Sequence, residues 1–192
     1  MNKILLVLLL LFFFANAQGQ TPDPASLAVK PRINQYTDTA RPAEKIQQNY
    51  PYDIALRNAA GDTLNTSLVF EKNGKPTVLL FWLTTCAPCR RELTAISSKF
   101  EGWKTEADFN LYAISIDFPH NYEQFINRVT ESRWPFPAYL DLNREFGNIM
   151  PGRLNGLPQT FILDKDGNIV HHKRKYATGD EDELFNLVKS LL

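Results

Sequence analysis

The sequence predicts an α/β fold in which a central mixed β-sheet is flanked by helices and extended by an N-terminal β-hairpin. Three observations predict it. Val78 to Leu83 is an unbroken apolar run rich in bulky side chains, the pattern of a buried strand. Leu93, Ile96 and Phe100 follow at spacings of three and four, which puts one apolar face on a helix that starts almost at once. Near the end, Thr160–Asp164 and Asn168–Lys173 flank Asp166-Gly167, a hairpin turn pair, and a last helical pattern comes after them.

Each element has its own signal. Asn2-Lys3, the apolar run Ile4 to Phe14 and the small residues of Ala15-Asn16-Ala17 read as a signal peptide over residues 1–17, cleaved after Ala17. Eleven apolar residues fall short of the span of about twenty that a bilayer-crossing helix needs. With no cysteine near that point, lipoprotein processing is not expected. Residues 18–50 carry Pro22, Pro24, Pro31 and Pro42 among polar residues and read as a linker or extension, with one short helix expected after Thr39. The domain is expected to occupy residues 51–192.

Asp53–Arg57 and Thr63–Phe70 flank Ala60-Gly61-Asp62 and predict the N-terminal hairpin. Asn73-Gly74 turns into the central strand. Phe109–Asp117 predicts a second core strand. Asn121 opens a helix with Tyr122, Phe125, Ile126 and Val129 on one side. Phe136–Asp141 predicts a short strand, and Asn143 is expected to cap a short helix holding Phe146 and Ile149. Asp180 precedes the last amphipathic helix, with Leu184, Phe185, Leu187, Val188 and Leu191. His171 and His172 read as solvent-facing hairpin residues.

The chain has 192 residues and equal numbers of acidic and basic side chains, so no basic stripe offers itself to nucleic acid. Its two cysteines form the pair Cys86-Ala87-Pro88-Cys89, placed where the strand hands over to the helix. Unpaired N–H groups and the macrodipole at a helix N-terminus stabilise a thiolate. A cysteine there drops from a pKa of about 8.5 into a range of roughly 3.5–7.5. Cys86 is expected at that position as nucleophile, with Arg90 and Arg91 adding positive charge. Cys89, one turn further in, is expected to be more buried and to resolve. Pro88 suits the first turn, where no N–H is needed.

Other readings of the pair have less behind them. Zinc wants four ligands, and the added candidates are only His120, His171 and His172, two of them strand neighbours pointing to opposite faces. Covalent haem attachment needs a histidine where Arg90 stands. A purely structural disulfide gains little over so short a loop. No metal and no cofactor are expected.

Two further segments complete a resemblance. Phe81-Trp82-Leu83-Thr84-Thr85-Cys86-Ala87-Pro88-Cys89-Arg90, Gly156-Leu157-Pro158-Gln159-Thr160-Phe161-Ile162 and Asp164-Lys165-Asp166-Gly167-Asn168-Ile169-Val170 together resemble the thioredoxin-like superfamily. More narrowly, Tyr52 to Leu192 is similar to the exported TlpA-like thiol-disulfide oxidoreductases near the redoxin branch. The resemblance implies a thioredoxin-like fold and dithiol–disulfide exchange through Cys86 and Cys89. It also implies a cis Pro158 against the cysteine loop, with the backbone of Leu157 free to pair with an extended peptide. Trp82 and Pro88 join Leu157 and Pro158 as the implied substrate-binding residues, Trp82 and Trp134 serving as core or groove wall.

Departures define what is left open. Thr85 stands where many relatives carry Trp, and Leu80 stands where thioredoxins bury an Asp that deprotonates the resolving thiol. Asp117 and Glu92 are the candidates to take the Cys89 proton. Implied partners are exported protein thiols and disulfides and a membrane electron donor, for a monomer in the periplasm or otherwise outside the cytosol. The rivals are a redoxin-type peroxidase, which wants Thr where Leu83 stands, and a non-catalytic thioredoxin-fold binding module.

Overall fold

The structure is a computed structural model, and it describes residues 50–192. The expected signal peptide, the extension up to residue 49 and the helix expected after Thr39 lie outside the described residues. The elements are β1 (Ala55–Arg57), β2 (Thr63–Asn65), α1 (Thr66–Val69), β3 (Thr77–Trp82), α2 (Ala87–Glu106), β4 (Asn110–Ser115), α3 (Tyr122–Ser132), β5 (Ala138–Asp141), α4 (Phe146–Ile149), β6 (Gln159–Leu163), β7 (Ile169–Arg174) and α5 (Asp180–Lys189). Two 3₁₀ turns, Pro119–Asn121 and Pro151–Leu154, lead into α3 and out of α4.

One seven-stranded sheet has the order β2-β1-β5-β4-β3-β6-β7. β3, β4 and β5 run parallel, and β6 and the β1–β2 hairpin add to them antiparallel. The expected mixed sheet with an N-terminal hairpin is therefore present, and the hairpin joins the sheet through β5.

β3 lies at the heart of the sheet and all six of its residues are buried. Alternation still divides them between two faces. Val78, Leu80 and Trp82 pack under α2, α3 and α5 with Leu93, Phe125 and Phe185. Leu79 and Phe81 point the other way, into a cluster with Tyr50, Phe70, Phe146 and Phe161. Gly167 lets that second cluster close. Its φ of +87° and the β-carbon of Tyr50, 2.8 Å from where its own would sit, leave room for glycine alone.

Three local expectations change. The second hairpin strand ends at Asn65, not Phe70, because Asn65 Oδ1 accepts the Ser67 N–H at 2.8 Å and caps α1. Buried Thr66 then ties α1 down by accepting the Ile54 N–H on its hydroxyl at 3.0 Å. The N-cap position of α4 is Glu145 rather than Asn143, and the carboxylate of Asp141, at the end of β5, accepts the Glu145 and Phe146 N–H groups at 3.0 and 2.9 Å. Burial lifts the Asp141 pKa to about 6 despite those bonds. His171 and His172 are half-buried rather than solvent-facing. His172 stacks on Phe161 at 4.0 Å and meets Gln159 Oε1 at 2.9 Å, because the pairing of edge strand β7 with β6 sets His172 opposite Phe161.

Phe146 anchors the face opposite α2, fully buried against Phe81 at 5.1 Å and Tyr52 at 5.7 Å. Phe146→Ala is expected to cost about 3–5 kcal/mol of stability, read from the urea midpoint at an unchanged slope.

Candidate active site

The site forms where β3 ends. Leu83 to Thr85 cross from the sheet to α2, and this short passage is clamped from two sides. The Asp117 carboxylate accepts the Thr84 N–H at 2.8 Å and the Thr84 hydroxyl at 3.0 Å. Arg90, from the first turn of α2, donates to the Thr84 carbonyl at 3.0 Å. Asp117 also accepts the Ser115 hydroxyl at 2.6 Å, so this buried carboxylate holds three donors and acts as a strut for the loop.

Cys86 is the N-cap of α2, half-buried, and its sulfur accepts the Cys89 N–H at 3.2 Å. No acidic residue stands in the first turn to offset the positive helix end, and Pro88 occupies that turn. Cys86 and Cys89 are joined as a disulfide with Cα atoms 5.3 Å apart. Cys89 is fully buried, so only the Cys86 sulfur faces outward. Arg90 lies beside the loop and Arg91 is exposed.

Glu92 lies one helical turn beyond Cys89 on the buried side of α2 and is 6% exposed. Thr160, the β3-facing residue of β6 paired with Leu80, donates its hydroxyl to Glu92 Oε1 at 2.8 Å. Burial raises the Glu92 pKa from its ordinary 4.5 to about 7, the Thr160 bond opposing. A carboxyl group thus reaches the space beside Leu80 from the helix, where the thioredoxin pattern brings one from the strand.

The segment before β6 completes the frame. The Leu157–Pro158 bond is cis, and the β3–β6 register, with Phe81 opposite Gln159, carries Pro158 to the level of Trp82. Pro158 is buried and its carbonyl is taken by the Lys175 N–H at 2.8 Å, while Leu157 and Pro88 are half-buried. Trp82, expected both among the substrate-binding residues and as core or groove wall, lies in the core. Alternation along β3 points it under α2, where it is 1% exposed and meets Trp134 edge-on at 5.1 Å. It supports the site from below.

Residues 46–172 match the AhpC/TSA family. The chain belongs to that family. Among solved structures it is similar to a thioredoxin-like protein from Porphyromonas gingivalis, with 34% identity, a TM-score of 0.62, and 73% of this chain and 90% of the other covered. Among curated proteins it is similar to sporulation thiol-disulfide oxidoreductase A of Bacillus subtilis, 22% identical over 74% of this chain and 82% of the relative. It is also similar to thiol-disulfide oxidoreductase ResA of Geobacillus kaustophilus, 27% identical over 60% of this chain and 67% of the relative. The chain is a thiol-disulfide oxidoreductase of thioredoxin-like fold.

Spacing in the sequence assigns no separate role to Thr84, Ser115 or Thr160. Their signal was parity: Ser115 and Asp117 interrupt an apolar strand at positions sharing one face, and Thr160 shares a face with Pro158.

The Glu92 pKa has a measurable consequence. A carboxyl whose folded pKa is raised favours the protonated protein, so its contribution to stability is present below about pH 4.5 and lost as pH rises towards 7. Glu92→Gln keeps an acceptor for Thr160 without the charge. Thermal melts are expected to coincide near pH 4 and to diverge in favour of the variant between about pH 5 and 8.

Proposed function

We propose that this chain works outside the cytosol as a reductant of disulfides in exported proteins, its own dithiol being restored by a membrane electron donor. The observation that carries the reading is the unequal burial of the two sulfurs, with Cys86 at the helix start and Cys89 wholly inside. In the reduced protein the Cys86 thiolate attacks one sulfur of the substrate disulfide and expels the other as thiolate. A mixed disulfide remains. Cys89 then loses its proton and attacks Cys86, releasing the second substrate thiol and closing the internal bridge. Two electrons pass to the substrate and the enzyme ends oxidised.

Glu92 is the group best suited to take the Cys89 proton. It lies one turn away on the same helix face, and a pKa of about 7 suits a base working at neutral pH. Asp117 is committed to Thr84 and Ser115, so its role is to hold the loop. Leu157 and Pro88 offer half-buried surface beside Cys86, and an extended peptide is received along the Leu157 backbone. The signal-like pattern of residues 1–17 supports the choice of compartment, and the relatives' names as thiol-disulfide oxidoreductases support the exchange chemistry. The peroxidase alternative wants a hydroxyl where Leu83 packs among apolar side chains.

Cys89→Ala is expected to accumulate mixed disulfides through Cys86, seen by non-reducing electrophoresis of periplasmic-type extracts. Cys86→Ala is expected to lose insulin reduction, and full retained activity would refute the assignment. Glu92→Gln is expected to slow release from the mixed disulfide by about a hundredfold at pH 7 and to remove the inflection near that pH from the rate profile.

A further inference from the structure

At the end of the sheet that carries the disulfide, but on the face away from α2, lies an open pocket of about 280 Å³ lined by Ile116, Arg144, Gly147, Arg153, Leu154 and Asn155. Both of its walls continue into the frame of the active site. Ile116 donates its N–H to the Trp82 carbonyl at 3.0 Å and precedes Asp117, the strut of the Cys86 loop. Leu154 and Asn155 lead through Gly156 into Leu157-Pro158.

The floor is apolar and the rim is cationic. Arg144 lays its guanidinium over the Phe118 ring at 3.9 Å, and Phe118 is 51% exposed with His120 stacked on it. The Arg144 Nε is buried without an acceptor. Arg174, at the end of β7, packs its guanidinium against Gly152, directly beside Arg153. Among the described residues none of these three arginines forms an ion pair. Two nearby carboxylates are engaged elsewhere, Asp117 by Thr84 and Ser115 and Asp141 by the start of α4, and Glu145 forms no ion pair with Arg144. Three lining residues hold left-handed backbone that bulky L-residues rarely adopt: Arg144 at φ 58°, Arg153 at 53° and Leu154 at 55°. Such concentrations mark places where a binding geometry is held against local preference.

We propose that this pocket is a specificity site that receives an Asp or Glu side chain of the protein substrate, within a few residues of its reacting cysteine. The inference rests on the reading that the chain exchanges disulfides with proteins. A carboxylate matches the planar, donor-rich guanidinium better than any neutral group, and Arg144, Arg153 and Arg174 carry no ion-pair partner among the described residues. The apolar floor accepts the methylene stem and Phe118 its flank.

Peptides with one cysteine, blocked as the uncharged mercaptoethanol disulfide, test this. Glu is walked through the three positions on either side of the cysteine, each peptide matched by its Gln counterpart. The reduced protein and its Arg144→Gln/Arg153→Gln variant are compared, every rate being divided by that protein's own rate on hydroxyethyl disulfide. At one or more positions the wild-type protein is expected to favour Glu over Gln by about tenfold in kcat/KM, less at high salt, and the variant to favour neither. Equal rates at every position, or a preference that survives in the variant, would overturn the proposal. A wild-type protein inert towards hydroxyethyl disulfide would overturn the exchange reading itself, and this proposal with it.

Discussion

A buried strand has to end and release the chain to the surface within four residues, with a sulfur at the start of a helix. Three hydrogen bonds to Thr84 make this possible. Asp117 takes its N–H and hydroxyl and Arg90 its carbonyl, so every polar group of a nearly buried residue is satisfied and the passage has one conformation. Cys86 then falls at the N-cap, where the Cys89 N–H and the helix end favour negative charge on sulfur.

The second constraint is the buried carboxyl of Glu92. A charged group under a helix is costly, and the structure answers with one neutral donor, Thr160, rather than a cation. That leaves the group close to half-protonated at neutral pH, a state in which it exchanges protons readily. Lys99 and Tyr176, close at hand in sequence or space, are instead turned to Glu181, whose pKa is lowered to about 2 by burial-opposed hydrogen bonds from the Glu181 and Gly179 backbone, Lys99 and Tyr176. Two buried glutamates near the same helix pair thus have opposite titration behaviour, set by what faces each.

The two faces of the sheet divide the work. Under α2 lie the sulfur chemistry, Trp82 and Glu92. On the other face, around Phe146, lie the aromatic cluster, the start of α4 and the arginine-rimmed pocket. They meet only at the carboxyl end of the central strands, where Ile116, Asp117 and Phe118 point in turn to both. Parallel strands of an α/β sheet present their loops there, so the disulfide and the pocket open at the same end of the sheet.

Periodicity, turn residues and the two motif segments determined the element order, the mixed sheet and the cysteine pair, because these are encoded by neighbours in the chain. The β3 run, the Asp166-Gly167 hairpin and the Cys86 to Leu93 handover were all legible this way. Short elements were not: a four-residue helix begins inside the expected strand at Thr66, and Asp141 rather than Asn143 holds the N–H groups at the start of α4 through geometry that no spacing reveals. Only the tertiary structure distinguished the surroundings of Glu92 from those of Asp117, since spacing offers both acids for the Cys89 proton, one three residues on and the other at the end of the next strand. Their difference comes from partners dozens of residues away, Thr160 for one and Thr84 for the other, brought close by strand register. Charge and burial at a site are properties of what the fold places opposite it, and that is decided across the sheet rather than along the chain.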